Sequence, residues 1–199
     1  MKTCTYEGIT WEEPMEIDSV SGMSSLWSDL KSLSSRCDVS HVLNKHGLTG
    51  EVAEIGVDMG HYARAILSNW KGRVYYAVDL WAKQDPRIYR ETQFDHDLSF
   101  RASSDLANED RRMQMIRLHS VIASKVFYDN CLDWVWIDAN HDYDPVMDDL
   151  NAWWPTVRRG GVFSGHDYFS PGVRRAVNEW MNRNRVHFVV SDSSWWSVK

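Results

Sequence analysis

The sequence lacks the long apolar segment, the basic excess and the paired cysteines that define several classes of protein. No apolar run reaches the roughly 18 residues of a membrane-spanning helix, and the first residues carry no apolar signal segment. The formal net charge of −6 argues against binding to nucleic acid or to an anionic membrane. The three cysteines lie far apart and outside any C-x-x-C spacing. We therefore expect a cytoplasmic protein with reduced thiols.

Length and patterning predict a single domain of alternating strands and helices. The chain has 199 residues, 43% of them hydrophobic, with no internal repeat and no low-complexity segment. Residues 1–48 are predicted to form an irregular arm followed by one or two helices, and residues 50–199 to form the core. The predicted strands are 51–57, 73–81, 113–120, 132–138, 160–167, 186–191 and 194–199, and the predicted core helices are 61–70, 87–107, 121–129, 145–157 and 172–184. This alternation predicts a parallel sheet covered by helices on both faces and closed by an antiparallel hairpin.

The first two predicted strands end in residues typical of a nucleotide site. Gly56 and Gly60 follow the first strand, where glycine lets the backbone approach a ligand closely, although an ordinary strand–helix turn explains them equally well. Asp79 ends the second strand, where an acid accepts hydrogen bonds from ribose hydroxyls. Together these residues predict an adenosine site. Ser120, at the end of the third strand, is expected either to contact the adenine or to cap the next helix.

The segment WVWIDANHDYD, residues 134–144, leads an apolar strand directly into polar side chains. Asp138 and His141 follow this strand, and His166 and Asp167 end the next one. We expect these side chains to face one another, because the carboxyl ends of parallel strands meet at one edge of the sheet. Carboxylates with imidazole suit Mg²⁺ or Mn²⁺, and histidine favours later metals. A purely structural explanation is weaker, since clustering like charges adds little stability.

Six segments together resemble a known family. They are EIGVDMG, YAVDLW, DWVWIDANHDYDPVMDDL, GGVFSGHDY, GVRRAV and the terminal SWWSVK. They are similar to the class I S-adenosylmethionine-dependent methyltransferases, and more narrowly to the small metal-dependent sugar O-methyltransferases that include the macrocin and mycinamicin enzymes. The resemblance implies a Rossmann-like, doubly wound, mostly parallel sheet of seven strands. It also implies a divalent ion on Asp138 and at the end of the fifth strand, where relatives often carry two acids and this chain carries His166 and Asp167.

From this resemblance we predict methyl transfer from S-adenosylmethionine to a sugar hydroxyl, on a glycan or a glycosylated metabolite. The donor is expected to contact Glu54, Gly56, Val57, Gly60, Asp79, Leu80, Ser120 and Asp138. The expected metal ligands are Asp138, His166 and Asp167, and the expected catalytic residues are His141, as general base, and Asp138. Free imidazole has a pKa of about 6.5, which suits a base that works near neutral pH. Beyond its acceptor, the chain is expected to be a homo-oligomer or a module of a larger enzyme, without a nucleic-acid or membrane partner.

Other interpretations remain open. The same chemistry on a catechol or another phenol needs less activation, because phenols have a pKa near 10; a histidine together with a metal therefore favours the sugar. A catalytically idle nucleotide-binding or scaffold domain is a third possibility, against which the complete set of acids, histidines and glycines speaks. An oxidoreductase of this fold would carry G-x-G-x-x-G, which the sequence lacks. Residues 82–113, rich in arginine and aromatics, form either an acceptor lid or a solvated helical insertion.

Overall fold

The computed structural model describes residues 3–6, 9–12, 21–84 and 91–199. At the start of the chain, strands β1 (Thr3–Tyr6) and β2 (Ile9–Glu12) pair in antiparallel fashion. The prediction of an irregular arm is wrong for these two segments. Four-residue strands are too short to display a clear period, although Thr, Tyr, Ile and Trp all favour strands.

Two helices precede the main sheet. They are α1 (Ser21–Lys31) and α2 (Val39–Lys45), connected through a 3-10 turn at Arg36–Asp38. Leu26, Leu30 and Leu33 are buried, as their spacing along one helical face predicts. Gly47 follows α2 with a left-handed φ of +68°, a common way for a helix to end. This helical pair covers one face of the sheet.

The main sheet has seven strands and confirms the predicted fold class. Its strands are β3 (Glu51–Ile55), β4 (Val74–Asp79), β5 (Met113–Arg117), β6 (Leu132–Ile137), β7 (Val157–Gly165), β8 (Val189–Ser191) and β9 (Ser194–Val198). They lie in the order β5-β4-β3-β6-β7-β9-β8, with β9 antiparallel to both of its neighbours and the other pairs parallel. The predicted terminal hairpin is therefore present, and β3 and β6 occupy the centre of the sheet.

Helices on both faces bury the central strands. The remaining helices are α3 (His61–Leu67), α4 (Gln93–Glu109), α5 (Ser120–Ala123), α6 (Tyr143–Trp153) and α7 (Pro171–Asn184). In β6, Trp134 and Trp136 pack into the core on the α1–α3 side, and Val135 and Ile137 pack into the core beneath α6 and α7. The continuous apolar run of β6 is thus explained by burial on both faces.

Several predicted boundaries differ from the structure at the strand ends. The strand predicted over 113–120 ends at Arg117, because the chain turns into α5 at Ser120. Part of the predicted lid, including Arg87, Tyr89 and Arg90, lies outside the described residues.

Among the residues described, no helix combines the length and the apolar character that crossing a bilayer requires.

Candidate functional site

The turn between β3 and α3 depends on a glycine. Gly56 has a φ of +87°, and a Cβ placed on it would lie 2.1 Å from the carbonyl oxygen of Asp138. Any larger residue would therefore separate this turn from the loop that follows β6. Gly60 also has a left-handed φ, of +77°, and precedes the first residue of α3. The two predicted glycines thus shape a backbone turn in close contact with the loop that carries Asp138.

Asp79 is hydrogen-bonded to the same turn. One of its carboxylate oxygens accepts hydrogen bonds from the backbone N–H groups of Val57 and Asp58, both at 2.9 Å. Its other oxygen accepts from the N–H of Trp81 at 2.8 Å. A carboxylate has about four lone-pair positions, so Asp79 retains about one with which to accept from a ribose hydroxyl. The structure therefore gives the predicted ribose acceptor a second task, which is to hold the turn; Leu80 follows it, half-buried.

Asp58 anchors α4 to this turn, which the sequence did not reveal. Its backbone is left-handed, with φ of +49°, a conformation that aspartate tolerates better than most residues. Its carboxylate accepts from Ser99 Oγ at 2.6 Å, and its carbonyl accepts from Ser103 Oγ and from Trp81 Nε1, each at 2.8 Å. The first half of α4 is consequently fixed against the glycine turn, close to the segment predicted as an acceptor lid.

Glu54 lies beneath the turn rather than in the open cleft. Its side chain is 1% exposed and its Oε2 accepts a hydrogen bond of 2.7 Å from the Tyr75 hydroxyl. Burial raises the pKa of the Glu54 carboxyl well above its usual range, and the charges of Asp138 and Asp79 add to this effect. The structure therefore places Glu54 as a buried acid, with its neutral form favoured by burial, on the inner side of the predicted donor site.

Ser120 uses its hydroxyl inside the fold. It donates to the carboxylate of Asp149 and accepts from Trp153 Nε1 at 2.8 Å. The residue preceding α5 is His119, and no side chain caps this helix. Of the two predicted roles, capping is therefore absent, and any contact between Ser120 and adenine would have to use its backbone or a rearranged hydroxyl.

Four side chains converge where β6 and β7 end, as the sequence predicts. Asp138, His141 and Asp167 each offer one ligand atom, and these atoms all lie within 4.8 Å of one another. His141 Nε2 is 3.0 Å from Asp167 Oδ2. His166 Nδ1 lies 3.2 Å from Asp167 Oδ2 and 3.9 Å from Asp138 Oδ1. Two carboxylates and an imidazole at these separations fit a divalent cation of the Mg²⁺ or Mn²⁺ type.

Backbone contacts hold both loops of this cluster. A Cβ on Gly172 would lie 2.2 Å from the carbonyl oxygen of His141, so α7 begins directly against the loop after β6. Within that loop, the side-chain oxygen of Asn140 accepts from the N–H of Asp142 at 2.6 Å. Asp167 has a left-handed φ of +49°. The His141 side chain remains half exposed, on the open side of the cluster.

Burial and neighbouring charges set the electrostatics of Asp138. Burial raises the pKa of its carboxyl, the positive charges of His166 and Arg36 oppose the rise, and the charge of Asp167 adds to it. Arg36 Nη1 lies 3.2 Å from Asp138 Oδ2. No motif in the sequence points to this arginine, which lies in the 3-10 turn before α2. A cation beside Asp138 is therefore electrostatically favoured.

An aromatic stack supports the cluster from below. The ring of Trp136 is 4.7 Å from that of Tyr62, 5.3 Å from that of Trp196 and 6.0 Å from the imidazole of His166, measured between centroids. Trp136 is fully buried, and its Nε1 has no hydrogen-bond partner within the described part of the chain. The rigid indole thus limits how the His166 ring can turn.

The strand order and the glycine turn are those of a class I S-adenosylmethionine-dependent methyltransferase. A family of methyltransferase domains matches residues 53–168, and the chain belongs to this family. The matched span runs from β3 to the loop after β7, so it includes every residue of the glycine turn and of the acid–histidine cluster. The class predicted from the motifs is therefore confirmed, and S-adenosylmethionine is the donor that this fold binds.

Solved structures support the fold. The O-methyltransferase NovP superposes with a TM-score of 0.60 at 14% identity, over 89% of this chain and 78% of its own. A Staphylococcus aureus protein assigned as a caffeoyl-CoA O-methyltransferase gives 0.58 at 15% identity, over 90% and 92%. A methyltransferase from Geobacter sulfurreducens gives 0.56 at 12% identity, over 93% and 91%. At identities this low, the structural similarity establishes the fold alone. The acceptor has to be inferred from the site itself.

One curated relative matches a short part of the chain. An uncharacterized protein of Acanthamoeba polyphaga mimivirus is 39% identical over 54 residues, which make up 25% of this chain and 24% of that protein. The match therefore covers about a quarter of the relative's length, and the name of this relative states no activity.

Proposed function

We propose that the protein transfers the methyl group of S-adenosylmethionine to a hydroxyl oxygen, with a sugar hydroxyl as the acceptor. The observation that carries the proposal is the convergence of Asp138, His141, His166 and Asp167 next to the glycine turn of a methyltransferase fold. In the reaction, the hydroxyl oxygen forms a bond to the methyl carbon while the sulfur–methyl bond breaks. The products are a methyl ether, S-adenosylhomocysteine and one proton.

The proton needs an acceptor, because an alcohol is a weak nucleophile. We assign this task to His141, since its imidazole is half exposed on the open side of the cluster, where the acceptor enters. Asp167 Oδ2, 3.0 Å from His141 Nε2, orients the ring and stabilises it once it is protonated. Holding donor and acceptor in line contributes much of the rate in a displacement of this kind.

Asp138 and Asp167 are the proposed carboxylate ligands of a divalent cation, Mg²⁺ or Mn²⁺. We assign His166 as the third ligand, because it is 20% exposed and lies within 3.9 Å of both acids. When bound, such a cation supplies Lewis acidity towards the acceptor hydroxyl. The compact grouping of His141 with the two acids supports a second assignment, in which His141 is the ligand. Metal binding by a His141 variant distinguishes the two assignments.

The acceptor class follows from how much activation the site offers. A sugar hydroxyl needs both a base and a cation, whereas a phenol ionises with a pKa near 10 and needs less help. The acid–histidine cluster offers both a base and a site for a cation, which favours a sugar hydroxyl as the acceptor. The likeness to a protein assigned as a caffeoyl-CoA O-methyltransferase keeps a phenolic acceptor as the alternative outcome of the test.

The test is a methyl-transfer screen with labelled S-adenosylmethionine against monosaccharides, oligosaccharides and catechols. We expect label in a saccharide, loss of transfer after chelation, and recovery on adding Mn²⁺ or Mg²⁺. Calorimetry should show that donor binding survives chelation, because Asp138 is the only expected donor contact that is also a proposed metal ligand. Transfer to catechols alone would refute the sugar acceptor. Full transfer after exhaustive chelation, with no metal found by elemental analysis, would refute the metal assignment.

A further inference from the structure

Arg36 presents a cation to the cleft from an otherwise distant part of the chain. It lies in the 3-10 turn between α1 and α2, and its Nη1 is 3.2 Å from Asp138 Oδ2. Its guanidinium carbon sits 5.1 Å from the centre of the Tyr62 ring, a cation–π contact. The Arg36 side chain is 32% exposed, so part of the guanidinium faces the cleft. Among the described residues it is therefore held by one acid and one ring, and its remaining N–H donors are available to a ligand.

The backbone of Arg36 is fixed on both sides. Its N–H donates to Asp192 Oδ2 at 2.7 Å, and its carbonyl accepts from the Tyr62 hydroxyl at 3.2 Å. Asp192 belongs to the turn between β8 and β9, where the carbonyl of Ser193 accepts from the N–H of Tyr168 at 3.0 Å. One hairpin turn thus ties the Arg36 backbone to the loop that carries Asp167. The arginine is placed by the fold and is not a freely moving surface side chain.

The α-carboxylate of the donor is a negative charge, which the acids of this cleft would repel. S-adenosylmethionine carries a sulfonium, an ammonium and an α-carboxylate, and the carboxylates of Asp79 and Asp138 beside the glycine turn favour the first two. The carboxylate would face those same acids unless a cation met it. Arg117, on the other side of the turn, already donates to the carbonyls of Leu80 and Trp81 and lies over the Phe100 ring. Within the described part of the chain, the Arg36 guanidinium donates to no backbone carbonyl and bonds only to Asp138.

We propose that Arg36 binds the α-carboxylate of S-adenosylmethionine, and that Asp138 holds the guanidinium in position when the donor is absent. The planar fork of arginine matches a carboxylate with two parallel hydrogen bonds. Gly56 brings the turn into contact with the backbone of Asp138, so the methionine end of a donor on this turn lies next to the partner of Arg36. The proposal rests on the use of S-adenosylmethionine and is independent of the metal and the acceptor.

The experiment compares two ligands that differ only in the carboxylate, S-adenosylmethionine and its decarboxylated analogue, by calorimetry. The wild-type protein should bind S-adenosylmethionine about tenfold more tightly or better, the loss expected when a hydrogen bond between charged groups is removed. Arg36→Gln should weaken S-adenosylmethionine by the same factor and leave the analogue nearly unchanged, so the discrimination disappears. Arg73→Met is the matched control, since this exposed arginine pairs with Glu51 at the opposite end of the sheet; it should behave as wild type.

Each other outcome has a defined meaning. If Arg36→Gln still binds S-adenosylmethionine more tightly than the analogue, the proposal is overturned. An equal loss of affinity for both ligands would also overturn it, because Arg36 would then maintain the shape of the site without contacting the carboxylate. A wild-type protein that binds neither ligand would instead contradict the use of this donor. If thermal melting shows that Arg36→Gln is unfolded, Arg36→Lys serves in its place, since lysine keeps the charge facing Asp138 but loses the fork. Arg36→Lys should lose several-fold affinity for S-adenosylmethionine only, and wild-type affinity for both ligands would overturn the proposal.

Discussion

Asp149 offers a test of the electrostatics that surround the end of β5. Its side chain is 4% exposed, and its carboxylate accepts from the Ser120 hydroxyl without a direct ion-pair partner among the described residues. Burial raises the pKa of the Asp149 carboxyl to about 6, and the hydrogen bond from Ser120 only partly opposes this rise. The informative change is Asp149→Asn, which keeps an oxygen for Ser120 and removes the titration.

The direction of the pKa shift determines whether stability rises or falls with pH. A carboxyl with a raised pKa in the folded state binds its proton more tightly there than in the unfolded chain. Its contribution to stability is therefore complete only below the unfolded pKa of 3.8 and is lost as the pH rises from there through about 6. A shift of about two pKa units corresponds to about 3 kcal/mol. The free energy of unfolding of Asp149→Asn, relative to wild type, should thus increase by about this amount between pH 4 and pH 7 and then level off.

Urea unfolding at constant ionic strength, repeated across this pH range, measures the difference. The buried amide N–H groups of the variant lower its stability by a constant offset, so the slope against pH and not the absolute value decides. Asp144→Asn is the matched control, because Asp144 is exposed on the same helix and is not among the charges that shift the Asp149 pKa, so this variant should keep the pH dependence of the wild type. A flat or falling difference for Asp149→Asn would refute the argument that burial controls this carboxyl.

Two further substitutions test the glycine turn and the proposed base. Gly56→Ala places a Cβ 2.1 Å from the Asp138 carbonyl, so it should abolish donor binding in calorimetry and cost roughly 2–4 kcal/mol of stability. The control Gly47→Ala has a similar φ of +68° but no neighbour within 4 Å, and should show only the conformational cost; equal effects would exclude the clash. His141→Ala should lower turnover by about 10²–10⁴-fold with unchanged Mn²⁺ affinity, measured by paramagnetic resonance. Lost Mn²⁺ affinity would make His141 a ligand, and turnover within a few-fold of wild type would exclude it as the base.

The sequence predicted the parts of this site that depend on local pattern. The alternation of strands and helices predicts the parallel sheet, and that sheet brings together strand ends that are far apart in sequence. Asp138 and Asp167 are 29 positions apart, yet they meet because β6 and β7 are neighbours. The continuous apolar run of β6 also predicts its burial on both faces. These inferences needed only periodicity and the geometry of parallel strands.

Contacts that depend on how separate elements dock were beyond the sequence. Arg36 reaches Asp138 across 102 positions, because the apolar face of α1 packs on the sheet and carries the following turn to the cleft. Nothing in the serine-rich residues around Arg36 indicates a ligand. The Ser120–Asp149 hydrogen bond likewise depends on the placement of α6 beside α5. Asp79 shows an intermediate case, since its position was predicted but its bonds to the glycine turn were not.

Asp79, Glu54, Asp138 and Asp167 differ in what their carboxyl oxygens contact, and this difference indicates which of them are available for chemistry. Asp79 is held by backbone N–H groups and Glu54 by a buried tyrosine hydroxyl, partners that a ligand cannot displace without deforming the fold. Asp138 and Asp167 are met instead by the side chains of Arg36, His141 and His166. These contacts join side chains to side chains, so a ligand can replace them without breaking a backbone hydrogen bond. This difference supports the proposed assignment of cation binding to Asp138 and Asp167, with His141 beside them as the base, whereas Asp79 and Glu54 maintain the shape of the glycine turn.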